Sequence, residues 1–238
     1  MVDIDAYKSF PFTLNMFNTN VYNHLPSVSD ADALFNKQLA SAGITRNQLF
    51  SQLAPLFVGT DASRYAACLI HHHYNLKPGE LMVARKLSTK PLALASTRSC
   101  SDSIIAQCWL KTGDAIEYRI ISDPSKSTLP PPPPTADLFK KFRSLLDPLG
   151  IDVLICYADD ELEDGFISQE LDGPGDRERI LTVIHCSARK VIGSDFEVTW
   201  IPKYNEEGQL FTMTCCSNCT KISENLSITR IIHMFSSN

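Results

Sequence analysis

The sequence predicts an α+β fold: two N-terminal helices, one central helix after a polyproline stretch, and a strand-rich, mostly antiparallel sheet. Three observations carry this. Capping signals precede two helical segments near the N-terminus. Short apolar or β-branched runs, separated by turn residues, then follow one another through most of the chain. These runs are consecutive and do not alternate with helices, unlike the strands of a doubly wound parallel sheet.

Residues 1–28 carry Phe10, Phe12, Phe17 and Tyr22 without a period, and read as an extended arm on the body. Ser29-Asp30 is placed to cap a helix over Ala31–Ala42, with Ala33, Leu34 and Leu39 as its stripe and Gly43 as its stop. Thr45-Arg46-Asn47-Gln48 fits a capping box, in which the threonine hydroxyl and glutamine amide satisfy each other's orphan N–H groups. That second helix runs to Ala54, before Pro55.

The period then changes. Tyr65–His73, Leu81–Lys86, Leu92–Thr97, Ser103–Lys111 and Ala115–Ser122 read as strands, with turns at Lys77-Pro78-Gly79 and Thr112-Gly113-Asp114. In the last of them Ile116, Tyr118 and Ile120 alternate with Glu117, Arg119 and Ile121, so one face is expected in solvent. Five prolines at 130–134 form a polyproline II stretch, read either as a rigid surface loop or as a ligand for a protein partner. A helix over Ala136–Leu146 follows, ended by Pro148 and Gly150. The remaining strands are Val153–Tyr157, Ile180–Cys186, Phe196–Ile201, Gln209–Thr214 and Ser227–Met234, with an acidic loop, Asp159–Asp176, after the first. Trp109 and Trp200 read as core.

The 238 residues fit one domain spanning 1–238, or two parts, 1–129 and 135–238, around the prolines. With 44% apolar and 21% charged residues, a full hydrophobic core is expected. A net charge of −5, and no basic run with interleaved aromatics, argue against a nucleic-acid or membrane-surface partner. The N-terminus has no basic segment followed by an apolar one, and the longest apolar runs fall far short of the roughly 20 residues of a spanning helix. These features predict a soluble cytoplasmic protein, in which the eight cysteines are thiols or metal ligands rather than disulfides.

Two constellations carry candidate chemistry. The first is His71-His72-His73. On a strand, His71 and His73 share a face, and two imidazoles at that spacing can converge on one metal ion. Glu80, across the Lys77-Pro78-Gly79 turn, is placed to fold back beside His73 as a base. The plainer reading is a polar strand exit whose imidazoles meet backbone carbonyls or water. The second is Cys216-x-x-Cys219, the spacing of a zinc knuckle, in which a tight turn brings two thiolates to one ion. His185, Cys186 and His233 are candidates to complete it. The alternative is ordinary thiols at a strand end.

The acidic segment 159–165 fails the calcium-loop pattern, since Leu162 and Leu171 stand where oxygen ligands belong. No nucleophile elbow, HExxH, P-loop or dinucleotide fingerprint occurs. Cys100, Cys108 and Cys186 qualify as nucleophiles only by residue type. The leading expectation is a zinc-binding protein with a ligand or substrate pocket near His71 and His73; if it is an enzyme acting on a small molecule, the metal acts as Lewis acid or activates a water, with Glu80 as base. The rivals are an interaction module with structural zinc at Cys216 and Cys219, and a metal-free enzyme with a shape-defined pocket.

Overall fold

A computed structural model describes residues 19–58, 65–85, 88–93, 103–121, 134–158, 166–172, 179–185, 194–204, 210–222 and 225–233. Within these lie four α-helices: α1 (Thr19–Asn23), α2 (Val28–Ala42), α3 (Arg46–Phe57) and α4 (Ala136–Leu146). A 3-10 turn, Asp147–Leu149, follows α4. The described strands are β1 (Tyr65–Leu69), β2 (Glu80–Arg85), β3 (Ser88–Ala93), β4 (Ser103–Trp109), β5 (Ala115–Ile121), β6 (Leu154–Ala158), β7 (Phe166–Asp172), β8 (Arg179–His185), β9 (Ser194–Tyr204), β10 (Leu210–Ile222) and β11 (Asn225–His233).

The eleven described strands close into one ring in the order β1-β6-β4-β5-β2-β3-β8-β7-β11-β10-β9, with β9 pairing back to β1. The architecture is α+β and mostly antiparallel, as the turn-separated strand runs predict. Strands from before and after the proline run are neighbours in this ring, as β1 is to β6 and β3 to β8. The single parallel pair among them is β2–β5. It answers a matter of parity. Each antiparallel neighbour reverses direction, so a closed ring needs an even number of reversals, and an odd number of strands requires at least one parallel pair.

Three helices cover one face of the β1–β6–β9 part of the ring. On α2, Val28, Ala31, Phe35 and Leu39 recur at helical spacing and are buried. The expected stripe of Ala33, Leu34 and Leu39 is corrected. The helix starts three residues earlier, capped by Ser27, whose hydroxyl accepts from the Asp30 N–H, and Leu34 is exposed. On α3 the capping box at Thr45 and Gln48 forms as expected. Pro55 does not stop the helix. It sits exposed in the last turn, and α3 continues to Phe57. On α4, Leu138, Phe139, Phe142 and Leu146 face inward. These helical side chains pack on Tyr65, Ala67 and Leu69 of β1, Leu154, Cys156 and Ala158 of β6, and Trp200 of β9.

The opposite face of the same strands is also buried. Ala66, Cys68, Ile155, Tyr157 and Ile201 form a second cluster with Met82, Cys108, Ile116, Leu76, Tyr22 and Leu25. Since three helices lie on the first face, the second faces the inside of the ring. Strand β1 is buried at every residue for this reason.

Several boundaries differ from expectation. The arm of residues 1–28 contains α1 and the start of α2; residues 1–18 lie outside the described residues, as do Pro130–Pro133. The acidic stretch contains strand β7, read as loop because its charges mask the alternation. Strand β1 ends at Leu69, and Ile70 makes the last bond to its neighbour, donating to the Val153 carbonyl at 2.7 Å. His71–His73 therefore leave the sheet.

The buried phenol of Tyr118 gives a pH prediction. Burial pushes it up from 10.0 to about 12. A group whose folded value is raised contributes stability that is complete below its unfolded value and lost as pH climbs through the folded one. The urea midpoint is expected to fall between pH 10 and about 12. Tyr118→Phe should flatten that slope; an unchanged slope would remove Tyr118 as its source.

Candidate functional site

Where β1 leaves the ladder, its three imidazoles separate. His71 Nδ1 lies 2.8 Å from the Leu69 carbonyl oxygen. A carbonyl only accepts, so Nδ1 carries the proton and the other ring nitrogen faces away from that bond. His72 Nδ1 makes the same kind of bond to the Leu25 carbonyl, at 2.5 Å. The rings of His71 and His73 meet edge to face with centroids 5.0 Å apart. The pairing expected of residues two apart on a strand is kept, although both residues lie beyond the strand.

His73 points its Nε2 at Glu117, 3.6 Å from Oε1, with both side chains largely buried. That distance suits an ion pair when the imidazole is protonated and exceeds a direct hydrogen bond. The Glu117 carboxylate is held on both oxygens. The Tyr22 hydroxyl of α1 donates to Oε1 at 3.0 Å, and the Cys108 thiol of β4 donates to Oε2 at 3.4 Å. The Tyr22 hydroxyl also accepts from the His73 backbone N–H at 3.3 Å. Three separate segments thus converge on the carboxylate of a fourth. Burial and the charge of Glu117 push the Tyr22 phenol well above its ordinary value, so it stays a proton donor.

Two β-bulges lie beside this carboxylate. Along β4 and β5, Ala106 pairs with Tyr118, Cys108 with Glu117 and Trp109 with Ala115. Gln107 on one strand and Ile116 on the other are therefore the extra residues. Tyr118 and Ile120 pack with Leu81 and Val83 on one face of β5, so plain alternation puts Glu117 on the other, and the bulge at Gln107 brings Cys108 to that same inner side. The Gln107 amide donates to the Tyr157 hydroxyl at 3.1 Å, both residues buried. The expectation that Glu117 faces solvent is corrected: its side chain retains 14% exposure. Bulges are common beside active sites, where they re-aim a side chain.

The Glu80 carboxylate accepts from the Lys77 N–H at 2.7 Å across its own turn, and the Glu117 carboxylate lies 3.6 Å from His73. Cys216 and Cys219 both belong to β10, level with Ile231 and Ile228 of β11. The segment is strand throughout, with a register shift against β9 between Cys215 and Cys216, and the tight turn of a knuckle is not formed there. His185 ends β8, opposite Phe166, and β7 and β11 separate β8 from β10. His233 ends β11, opposite Thr214. Cys100 and Cys186 lie outside the described residues. Among the described residues, no group of three or more His, Cys, Asp or Glu is placed to hold a metal ion. No helix of the described residues is long and apolar enough to cross a membrane.

Sequence reasoning missed Tyr22 and Glu117 and reached Cys108 only by residue type. A carboxylate within an apolar strand was the one usable signal. The bulge that turns Cys108 toward it has no residue signature here, and Tyr22 is brought in by tertiary packing alone. No protein-family profile, curated protein or solved structure matches the chain.

Proposed function

We propose that the protein binds a small polar molecule at this end of the ring and moves a proton to or from it through His73 and Glu117. The observation that supports this reading is the carboxylate itself. Its partners Tyr22 and Cys108 belong to a buried cluster that also holds Met82, Ile116, Ile155 and Ile201. A charged or polar group kept in such a place is costly, and groups of this kind concentrate at functional sites. Glu117 would act as base and His73 would share the proton with it. The Tyr22 hydroxyl would hold the carboxylate in place while remaining protonated.

The test is a thermal-shift and ligand-detected NMR screen of small polar metabolites against the wild type. Hits are expected, and Glu117→Gln and His73→Asn should abolish them while circular dichroism stays unchanged. Hits that survive both substitutions, or no hits, would overturn the reading. Zinc is assayed on the same untagged, chelator-free protein. About one ion per chain, lost in His71→Ala, would replace proton transfer by metal-activated water.

A further inference from the structure

We propose that residues 19–26, α1 and the turn after it, form a lid over the Glu117 carboxylate that opens while the ring stays folded. The purpose of such a lid rests on the acid–base reading above; its test does not. The chain quits the ladder at Ile70, whose N–H still bonds to Val153. Beyond it the backbone donors turn to the lid. The His72 N–H donates to the Pro26 carbonyl at 3.2 Å, and the His73 N–H to the Tyr22 hydroxyl at 3.3 Å. The Leu76 N–H donates to Asn23 Oδ1 at 2.7 Å, and the Asn23 amide donates back to the Leu76 carbonyl at 2.8 Å.

The segment from His71 to Leu76 and the lid therefore hold each other, by bonds separate from the sheet. Helix α1 has five residues, too few to be stable alone, so its helical form depends on docking. Its apolar anchorage is small beside the rest of the core: Tyr22 and Leu25 from the lid, meeting Leu76 among others. An element joined by few apolar contacts opens at lower free energy than the whole molecule. Beneath it lies Glu117 Oε1, which accepts from the Tyr22 hydroxyl and faces His73. A carboxylate oxygen accepts more than one donor, so a ligand admitted by the open lid can share Oε1 with the Tyr22 hydroxyl when the lid closes again.

Amide hydrogen exchange on the full chain tests this. The amides of His72, His73 and Leu76 are expected to exchange at least about 100-fold faster than those of Ala67 and Leu69 in β1. Asn23→Ala should speed the first three together and leave the β1 pair unchanged. Equal protection of both sets in the wild type, or equal acceleration of both in the variant, would overturn the lid. Should Asn23→Ala not fold, exchange of the wild type in low urea decides. A weak urea dependence for the three amides supports local opening, and the dependence of global unfolding overturns it. A lid that opens in a protein whose ligands are indifferent to Glu117→Gln keeps this inference and removes the acid–base site.

Discussion

Trp200→Ala is expected to lower the unfolding free energy by about 3–5 kcal/mol. Trp200 lies on β9, 3% exposed, where the helical layer meets the ring. Its indole stacks on Phe50 of α3, with centroids 4.3 Å apart and planes 19° from parallel. It also meets Phe35 of α2 at 5.5 Å and a tilt of 54°. The Arg46 guanidinium lies over both Phe35 and Trp200, 5.2 and 5.8 Å from their ring centres, and is held by Asp32 at 2.6 Å. One side chain thus joins two helices to one strand. Removing it leaves a cavity that rigid aromatic neighbours fill poorly, which puts the cost at the upper end of large-to-small core changes. Trp200→Phe keeps most of the stacking and should cost roughly half as much or less. Urea denaturation measures both; a Trp200→Ala loss below about 1 kcal/mol would show that the helices do not depend on this ring.

Ala67→Asp is expected to prevent folding. Ala67 is at the middle of β1, buried, paired on one side with Cys156 of β6 and on the other with Trp200 of β9. Its methyl faces the helical layer. A carboxylate there has neither room nor partner, and an unpaired buried ion costs several kcal/mol even after relaxation. Protonation lessens the charge penalty but not the steric one. Total stability for a chain of this kind is about 5–15 kcal/mol, so one such change consumes much of it. The site also closes the ring, so a local loss there breaks the sheet on both sides. Ala67→Ser, nearly the same size, serves as the control and should fold. Size-exclusion chromatography and near-ultraviolet circular dichroism distinguish the outcomes. A compact Ala67→Asp protein with a native near-ultraviolet spectrum would show that β1 does not close the ring.

These two residues also mark what the sequence made legible. The fold class was readable because local signals agreed: a capping box at Thr45, a helical stripe at Leu138, Phe139 and Phe142, and apolar runs divided by turns. Trp200 as core followed from residue type. The closure of the ring was not readable, because which strands pair at long range leaves no local trace; nothing around Ala67 names Trp200 as its neighbour. The candidate site was half readable. His71 and His73 stood out as a polar exit from an apolar strand. The carboxylate expected beside them was Glu80, by proximity in sequence, while Glu117 reaches His73 from β5, on the face opposite Tyr118 and Ile120. The knuckle spacing at Cys216 and Cys219 misled for a related reason. A motif defined by a turn has no force where the segment pairs on as strand.

The position of β1 in the ring also sets a timetable. Tyr65 pairs with Ala158, and Ala67 with Trp200 about 130 residues further on. During synthesis at roughly 5–20 residues per second, β1 is complete many seconds before its second partner exists. For that interval a strand made of Tyr65, Ala66, Ala67, Cys68 and Leu69 has an open edge and no cover on one side. An early, provisional docking of the helical layer on β1 would cover one face of it in that interval. Refolding from denaturant is then limited by the search for the last strand rather than by the helices, which form where they stand in the chain.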